Sequence, residues 1–554
     1  GMNWTTISPD LTLPNNRAPL PTANAQEQPV RNAIESISAS SVAPGTIWVG
    51  TNNGLIQVTR DNGKTWDDVT IPGLPNPSRA DVMAIDASHQ NAATAYAAVD
   101  LHTTGDYTPY LYRTHDYGKT WTRIVNGLAT SQPSGSFARV IRTDPEKAGL
   151  LFAGTESSMY VSFDDGDHWQ SLMLNLPNTS YRDITFHGND LIVGTYVRGI
   201  WILDSYAVLR QLTPALPDER VHLFAPAEAV RVRRNVNADT PFPPEVPHAL
   251  NPPDGAITYY SLASKPAADM ALDVMDASGT VVRHMSSAPS ATVPEATHPP
   301  EPNFWLAPPM SLPTNIGINR ANWDLRYDSP PAFVHSFEIN ANPGQTPPSP
   351  EGPLALPGVY TLKLTVAGKS YVQQVTVVND PRSPATMAEL RAQNALLMKL
   401  FDGAAESWGG YNQVTAMRHR VAEYTHGSAP SDVVAAATSL DAKLAALSGT
   451  VGQRGPGGFS GAGGTPPPPN FVAINGAMNA QLAALDNGDM APSVASIAGY
   501  NAECSKLKSA VTSWGTINAT DVAAFNTILA KNNVKPIRSA SPGLPVPMCG
   551  GLSR

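Results

Sequence analysis

At 554 residues the chain is long enough for three or four domains. Its charge is sparse and acidic, 37 Lys and Arg against 46 Asp and Glu for a net −9. With no extended basic run to follow a phosphate backbone, nucleic acid is excluded as a partner, and no apolar stretch approaches the ~20 residues of a membrane-spanning helix. Proline, 52 residues, gathers in connections such as TPFPPEVPHALNPPDG and ATHPPEPNFWLAPP, which read as ordered linkers because apolar anchors interrupt them.

The chain opens on Gly1, Met2, Asn3 and Trp4, the tail of a pattern that then occurs complete three times. It reads TRDNGKTW at Thr59–Trp66, THDYGKTW at Thr114–Trp121 and SFDDGDHW at Ser162–Trp169, each fitting [ST]-x-D-x-G-x-x-W. The fixed positions are Asp61, Gly63 and Trp66; Asp116, Gly118 and Trp121; and Asp164, Gly166 and Trp169. A short Asp accepts backbone N–H groups two residues on, Gly supplies a positive φ, and Trp buries a ring beneath the turn. The tryptophans recur every 48 to 62 positions, near the ~40–50 residues of a four-stranded blade. Between them TIWVGTNNGLIQVT, LLFAGTESSMYVS and DLIVGTYVRGIWIL repeat a strand ending in Gly-Thr followed by a second strand. The last, within Tyr181–Asp204, has no such turn and ends the array.

These motifs resemble the Asp-box, or bacterial neuraminidase repeat, of β-propeller proteins. The resemblance is to large bacterial proteins of the BNR-repeat glycosyl hydrolase and sortilin-like type, and it covers only their C-terminal half. It implies that the repeat residues are structural and lie away from the active face. It also implies export: an extracytoplasmic protein, periplasmic or secreted, although this chain shows no signal peptide. In that family the closing blade commonly reads Thr-His-Gly-Arg, whereas here it is Thr195, Tyr196, Val197, Arg198. Four blade equivalents and a leftover strand are few for a closed ring, so the array closes as a small propeller, assembles with a second copy, or belongs to a longer protein.

Aligning the first strand of each blade places Ala33, Asp81, Arg139 and Asp183 in one column at the mouth of the central channel. Asp81, Asp183 and Arg139 are therefore the candidate catalytic or binding residues. Two carboxylates and a guanidinium there could bind a sugar or a cation, or act as acid and base on a glycosidic bond; alternatively they neutralise one another. A sialidase's three arginines cannot be assembled. His102, His115, His168 and His187 fall on different blades without metal-ligand spacing, so neither metal nor cofactor is expected.

Over residues 255–382, AITYYSLAS, MALDVMDASGTVVRHM, NRANWDLRYD and GVYTLKLTVAGKSYVQQVTVVND read as strands, with hairpin signals at Ser278-Gly279 and Gly368-Lys369. They resemble an immunoglobulin-like β-sandwich with Trp323 in its core. Residues 213–254 read as a Pro-rich linker. From Ser383 the period becomes helical, with Ser383-Pro384 as the expected cap and Leu390, Leu397, Leu400 and Phe401 on the buried stripe. Further helices are expected around Phe471–Leu485 and Ser493–Trp514 and after Thr520, forming a bundle over 383–540, with GQRGPGGFSGAGGTPPPP as an inter-helix loop. In this tail-closed scheme, with 541–554 as the tail, Cys504 and Cys549 are either a disulfide or two unrelated thiols.

The fold class is thus mainly β with a helical C-terminal part, the propeller repeats occupying 1–212. The function expected is a glycan- or peptide-binding or scaffolding module. One alternative is a glycoside hydrolase with acidic residues at the channel; another is a non-catalytic C-terminal fragment of a larger hydrolase. A carbohydrate or peptide is the expected ligand, and a second copy completing the propeller the expected assembly.

Overall fold

The computed structural model describes residues 4–13, 32–129, 136–213, 219–233, 252–288, 310–335, 349–425, 429–451, 468–540 and 543–550, with a few single positions between 243 and 308. The expected inter-helix loop over 452–467 lies outside the described residues. The chain divides into two compact units, residues 1–212 and 213–554.

The first unit is a series of antiparallel meanders. Blade one is β1 (Ile34–Ala39), β2 (Ile47–Thr51), β3 (Ile56–Thr59) and β4 (Asp67–Asp68). Blade two is β5 (Asp81–Ala87), β6 (Ala95–Leu101), β7 (Asp106–Thr114) and β8 (Thr122–Arg123). Blade three is β9 (Ala138–Thr143), β10 (Leu151–Thr155), β11 (Met159–Ser162) and β12 (Gln170–Ser171). Blade four has three strands, β13 (Tyr181–His187), β14 (Asp190–Thr195) and β15 (Ile200–Leu203). The middle blades are covered on both faces, which is why β6 and β10 are buried along their whole length. Gly50 and Gly154 end their strands because the next blade closes on them: a Cβ there would lie 2.5 Å from Val82 Cγ1 and 2.7 Å from Tyr181 Cβ.

The repeat turns connect the third and fourth strands. Their first hydroxyl accepts the glycine N–H at 2.9 Å in all three copies, Thr59 from Gly63, Thr114 from Gly118 and Ser162 from Gly166. The Asp accepts the N–H four residues on, also at 2.9 Å each time, Asp61 from Thr65, Asp116 from Thr120 and Asp164 from His168. The expected bond from two residues on is therefore corrected: the turn is wider, because Asn62, Tyr117 and Asp165 adopt positive φ ahead of the glycine. Hydrogen bonds from the N–H and hydroxyl of Thr65 hold the Asp61 carboxyl down at about 2, and those of Thr120 do the same for Asp116. The indole of each turn donates to the carbonyl three residues past the tryptophan of the preceding turn: Trp121 to Val69 at 2.8 Å and Trp169 to Ile124 at 2.9 Å. Trp66 donates in the same way to Ile7, three residues past Trp4, at 3.2 Å. The half-pattern at the start of the chain thus holds the outer-strand place of a blade preceding blade one. Of the three, only Trp169 is buried; Trp66 and Trp121 are half-buried.

In the second unit β16 (Val221–Leu223), β17 (Ala229–Arg231), β18 (Ala256–Leu262), β19 (Ala271–Met275), β20 (Val281–Ser286), β21 (Gly317–Trp323), β22 (Gly358–Val366) and β23 (Lys369–Asn379) form two sheets. Their orders are β16-β18-β21 and β17-β23-β22-β19-β20, with β17 parallel to β23. Tyr260 and Trp323 of one sheet share a core with Leu272, Leu362 and Leu364 of the other. The linker reading of 213–254 is corrected to the extent that β16 and β17 are strands of these sheets.

Among the described residues five helices follow: α1 (Met387–Ala422), α2 (Ser431–Ser448), α3 (Phe471–Leu485), α4 (Val494–Thr516) and α5 (Val522–Lys531), the last two joined through a π turn at Ile517–Asp521. Leu390, Leu397 and Leu400 are buried, and Phe401 packs at the edge of the core. The cap of α1 is Thr386 rather than Ser383, because Thr386 and Glu389 satisfy each other's backbone N–H in a capping box. Cys504 of α4 is disulfide-bonded to Cys549. Sheets and helices are joined by charge. Asp489 meets Arg231 at 2.7 Å and Arg233 at 2.5 Å, and Asp486 meets Arg326 at 2.5 Å.

Candidate functional site

In each meander the first strand begins, the second ends and the third begins at one end of the blade, while the repeat turns lie at the other. The side chains that gather at the first end come from blades two, three and four. They are set by a bulge near the start of every inner strand, where one residue is skipped in the ladder: Glu35, Met83, Arg139 and Arg182.

This register revises the expected column. Arg139 shares its place with Glu35, Met83 and Arg182. Asp183 pairs with Gly194, in the row of Ser36, Ala84 and Val140, and Asp81 stands before the bulge, opposite Asp100. The three side chains therefore come from three different places, Asp81 two positions before the bulge, Arg139 at it and Asp183 one position after it. Sequence alignment by apolar neighbours absorbed the bulged residue differently in each blade. Asp183 instead accepts Arg142 Nη2 at 2.8 Å on an exposed surface.

Arg139 is the centre of the cluster. Its Nη1 donates to Asp100 Oδ2 at 2.9 Å and its Nε to Glu156 Oε2 at 2.8 Å, with the guanidinium 7% exposed. Asp100 also takes the backbone N–H of His102 at 2.8 Å and pairs with His102 Nδ1 at 2.7 Å. Glu156 accepts Ser180 Oγ at 2.7 Å. Phe137 is the floor: the His102 ring stacks on it at 4.8 Å and the Arg139 guanidinium lies 4.4 Å from its centroid. Burial raises the Glu156 carboxyl, but Ser180 and Arg139 outweigh that and leave it low. Asp100, His102, Phe137, Glu156 and Ser180 were missed by sequence reasoning. The available signal was positional, since Glu156 directly follows the recurring Gly154-Thr155 and Asp100 closes the matching strand of blade two.

Asp81 is different. It is half-buried, and burial, then the Asp100 and Glu35 carboxylates, push its carboxyl up to about 6 against the pull of His102 and Arg139. A carboxyl raised in this way by burial and a neighbouring carboxylate is suited to donating a proton. The folded value lies above the ordinary 3.8, so the folded chain holds the extra proton between the two. The contribution of Asp81 to stability is thus greatest below 3.8 and is lost as pH rises through about 6. Asp81→Asn, which cannot ionise, is expected to flatten that fall, as measured by denaturant unfolding on either side of the window; an unchanged slope would show that Asp81 is not the group responsible.

Exposed aromatic rings stand at the same end: Tyr107 beside Phe137, and Tyr196, with Arg182 5.0 Å from its ring centroid. Among the described residues no three His, Cys, Asp or Glu side chains are grouped to hold a metal ion, and no helix is long and apolar enough to cross a membrane.

No family model and no curated protein matches the chain. Weak structural similarity connects it with β-propeller proteins. YCF48 from Cyanidioschyzon merolae is 19% identical at a TM-score of 0.23, over 33% of this chain and 54% of that one. The GH74 xyloglucanase of Xanthomonas campestris is 12% identical at 0.25, and the Niastella koreensis GH74 enzyme 15% identical at 0.26, each over 31% of this chain and 29% of the other. The chain spans about half the length of the YCF48 structures it matches.

Proposed function

We propose that this chain is an exported bacterial Asp-box propeller protein, followed by an immunoglobulin-like sandwich and a helical bundle, that binds a neutral glycan or a peptide without breaking bonds. The observation that carries this reading is the engagement of Arg139 between Asp100 and Glu156. The guanidinium is nearly buried and commits its Nε and Nη1 to these two carboxylates, which argues against its taking a ligand carboxylate. The carboxylates it holds are likewise unavailable as a nucleophile. What remains toward solvent at that end is polar and aromatic, Tyr107 and Tyr196 above all, which suits stacking on sugar rings or on peptide side chains. Calorimetric titration with neutral oligosaccharides and with peptides tests it. Tyr196→Ala is expected to weaken binding by about 10–30-fold, as loss of an anchoring aromatic does. Binding unaffected by both Tyr196→Ala and Tyr107→Ala would place the ligand elsewhere.

A second reading has one observation in its favour. A carboxyl at about 6 beside another carboxylate is the state of a glycosidase general acid, and Asp81 beside Asp100 has it. On this reading reducing ends are released from an oligosaccharide, and Asp81→Asn abolishes release while preserving binding. Absence of release from any oligosaccharide that binds removes it.

A further inference from the structure

Each blade presents one face to its successor, and in blade three that face is Phe152, Gly154, Met159 and Val161, all buried against blade four. By strand register the same places in blade four are Ile192, Gly194, Ile200 and Ile202. Ile200 is 74% and Ile202 56% exposed, and a Cβ on Gly194 would approach only Asp183 of its own blade. At the other end of the array Ile37 is 65% exposed, whereas its equivalents Ile85, Ile141 and Ile184 are buried. The four blades form an open arc with an apolar face at each end.

The two ends are also complementary in strands. Among the described residues blade four has no fourth strand, which blades one to three possess. Residues 4–7 hold the outer-strand place of a preceding blade, with Ile7 bonded to Trp66 and Trp4 96% exposed. In blade three the two residues after the turn tryptophan, Gln170 and Ser171, pair with Val161 and Tyr160. The corresponding partners for Thr5 and Thr6 are Ile202 and Trp201. The indole that would arrive with them has a receptor as well. Trp169 donates to Ile124 of the blade before; the equivalent of Ile124 is Leu172, which with Leu174, Leu191, Val193, Trp201 and Leu203 lines an apolar groove between blades three and four.

From this we infer that the arc is closed by a second copy of the chain. Thr5 and Thr6 of each copy add the fourth strand to blade four of the other, and Trp4 enters the groove at Leu172. Two arcs joined head to tail give a ring of eight blades, within the range that propellers adopt. The exchange uses existing register, moves no described strand, covers both apolar faces and adds the ladder that β15 leaves open.

The mass of the full chain in solution, by light scattering behind a sizing column, is the first test. Twice 58.7 kDa is expected; a monomer at every concentration overturns the inference and leaves the two faces to blades from a different polypeptide segment. Ile200→Asp with Ile202→Asp is expected to give the monomer mass, and a dimer that survives these changes uses another surface and also overturns it. Because a charged variant can misfold, the register is read separately. Thr5→Cys together with Ile202→Cys should give a dimer band on a non-reducing gel that neither change gives alone. A chain that stays at single mass there refutes the strand exchange.

Discussion

Asp489→Ala is expected to cost the second unit about 3–5 kcal/mol, because it strips the carboxylate from the buried guanidinium of Arg231. Arg231 is 2% exposed, its Nε bonded to the carbonyl of Ala355 and its Nη1 to Asp489, and Arg233 reaches the same carboxylate. Burial alone would raise the Asp489 carboxyl; the hydrogen bonds from Arg231 and Arg233 overcome it and hold it low. Without the carboxylate Arg231 faces a low-dielectric junction between sheets and helices, while Arg233 keeps Asp486. Replacing the pair together, Arg231→Met with Asp489→Leu, is expected to recover most of the loss, since an apolar pair of similar volume needs no desolvation. Lys443→Ala, which removes an exposed pair with Asp521, should change stability by less than about 1 kcal/mol. Urea unfolding followed by tryptophan fluorescence, to which this unit contributes the buried Trp323 and Trp514 among others, reads all three. The two units need not unfold together, so the transition of this unit is the one compared. A loss below about 1 kcal/mol for Asp489→Ala would mean that water reaches the cluster and that the junction rests on apolar packing.

The second large effect belongs to Trp169. Its ring is 4% exposed, its indole N–H donates to Ile124, and its backbone N–H donates to the Asn126 carbonyl at 2.8 Å. Trp169→Ala is expected to destabilise the first unit by about 3–5 kcal/mol, the cost of deleting a buried aromatic and leaving its cavity. Trp66→Ala should cost less than half as much. Trp66 is half-buried, and its N–H is divided between Ile7 and Gly63 at 3.2 Å each. Denaturant unfolding of the single variants measures the difference. Equal losses at the two positions would show that the turns stabilise the blades by their local hydrogen bonds and not by what covers the ring, since those bonds are the same length in every copy.

What could be read directly was whatever the chain settles within a few residues. The repeat turns close within eight residues, although the N–H that the Asp accepts lies four residues on and not two; the hairpin read at Gly368-Lys369 turns one residue earlier, on the positive φ of Ala367 and Gly368; and Leu390, Leu397 and Leu400 fall on one side of a 3.6-residue period. The half-pattern at Trp4 was legible for the same reason, and its place beside Trp66 follows from that register. Even so, propensity chose the wrong cap for α1, because Ser383-Pro384 is a good signal locally and the reciprocal bonds of Thr386 and Glu389 are better. The candidate site was legible only as a neighbourhood. Arg139 and Asp81 were named as candidates, but the residues that pair with them were not, for Asp100 lies 39 positions from Arg139 and only its place in the matching strand marks it.

By itself, then, the sequence determined strands, turns, helices and the repeat that orders the blades, since each depends on backbone conformation and on contacts between near neighbours. Tertiary structure alone decided that a one-residue bulge staggers Asp81, Arg139 and Asp183 into different rows. It alone decided that Asp100 and Glu156 occupy Arg139 while burial and neighbouring carboxylates raise the Asp81 carboxyl. Those outcomes depend on burial and on charges brought together from different blades, and both come into being only when the sheets pack.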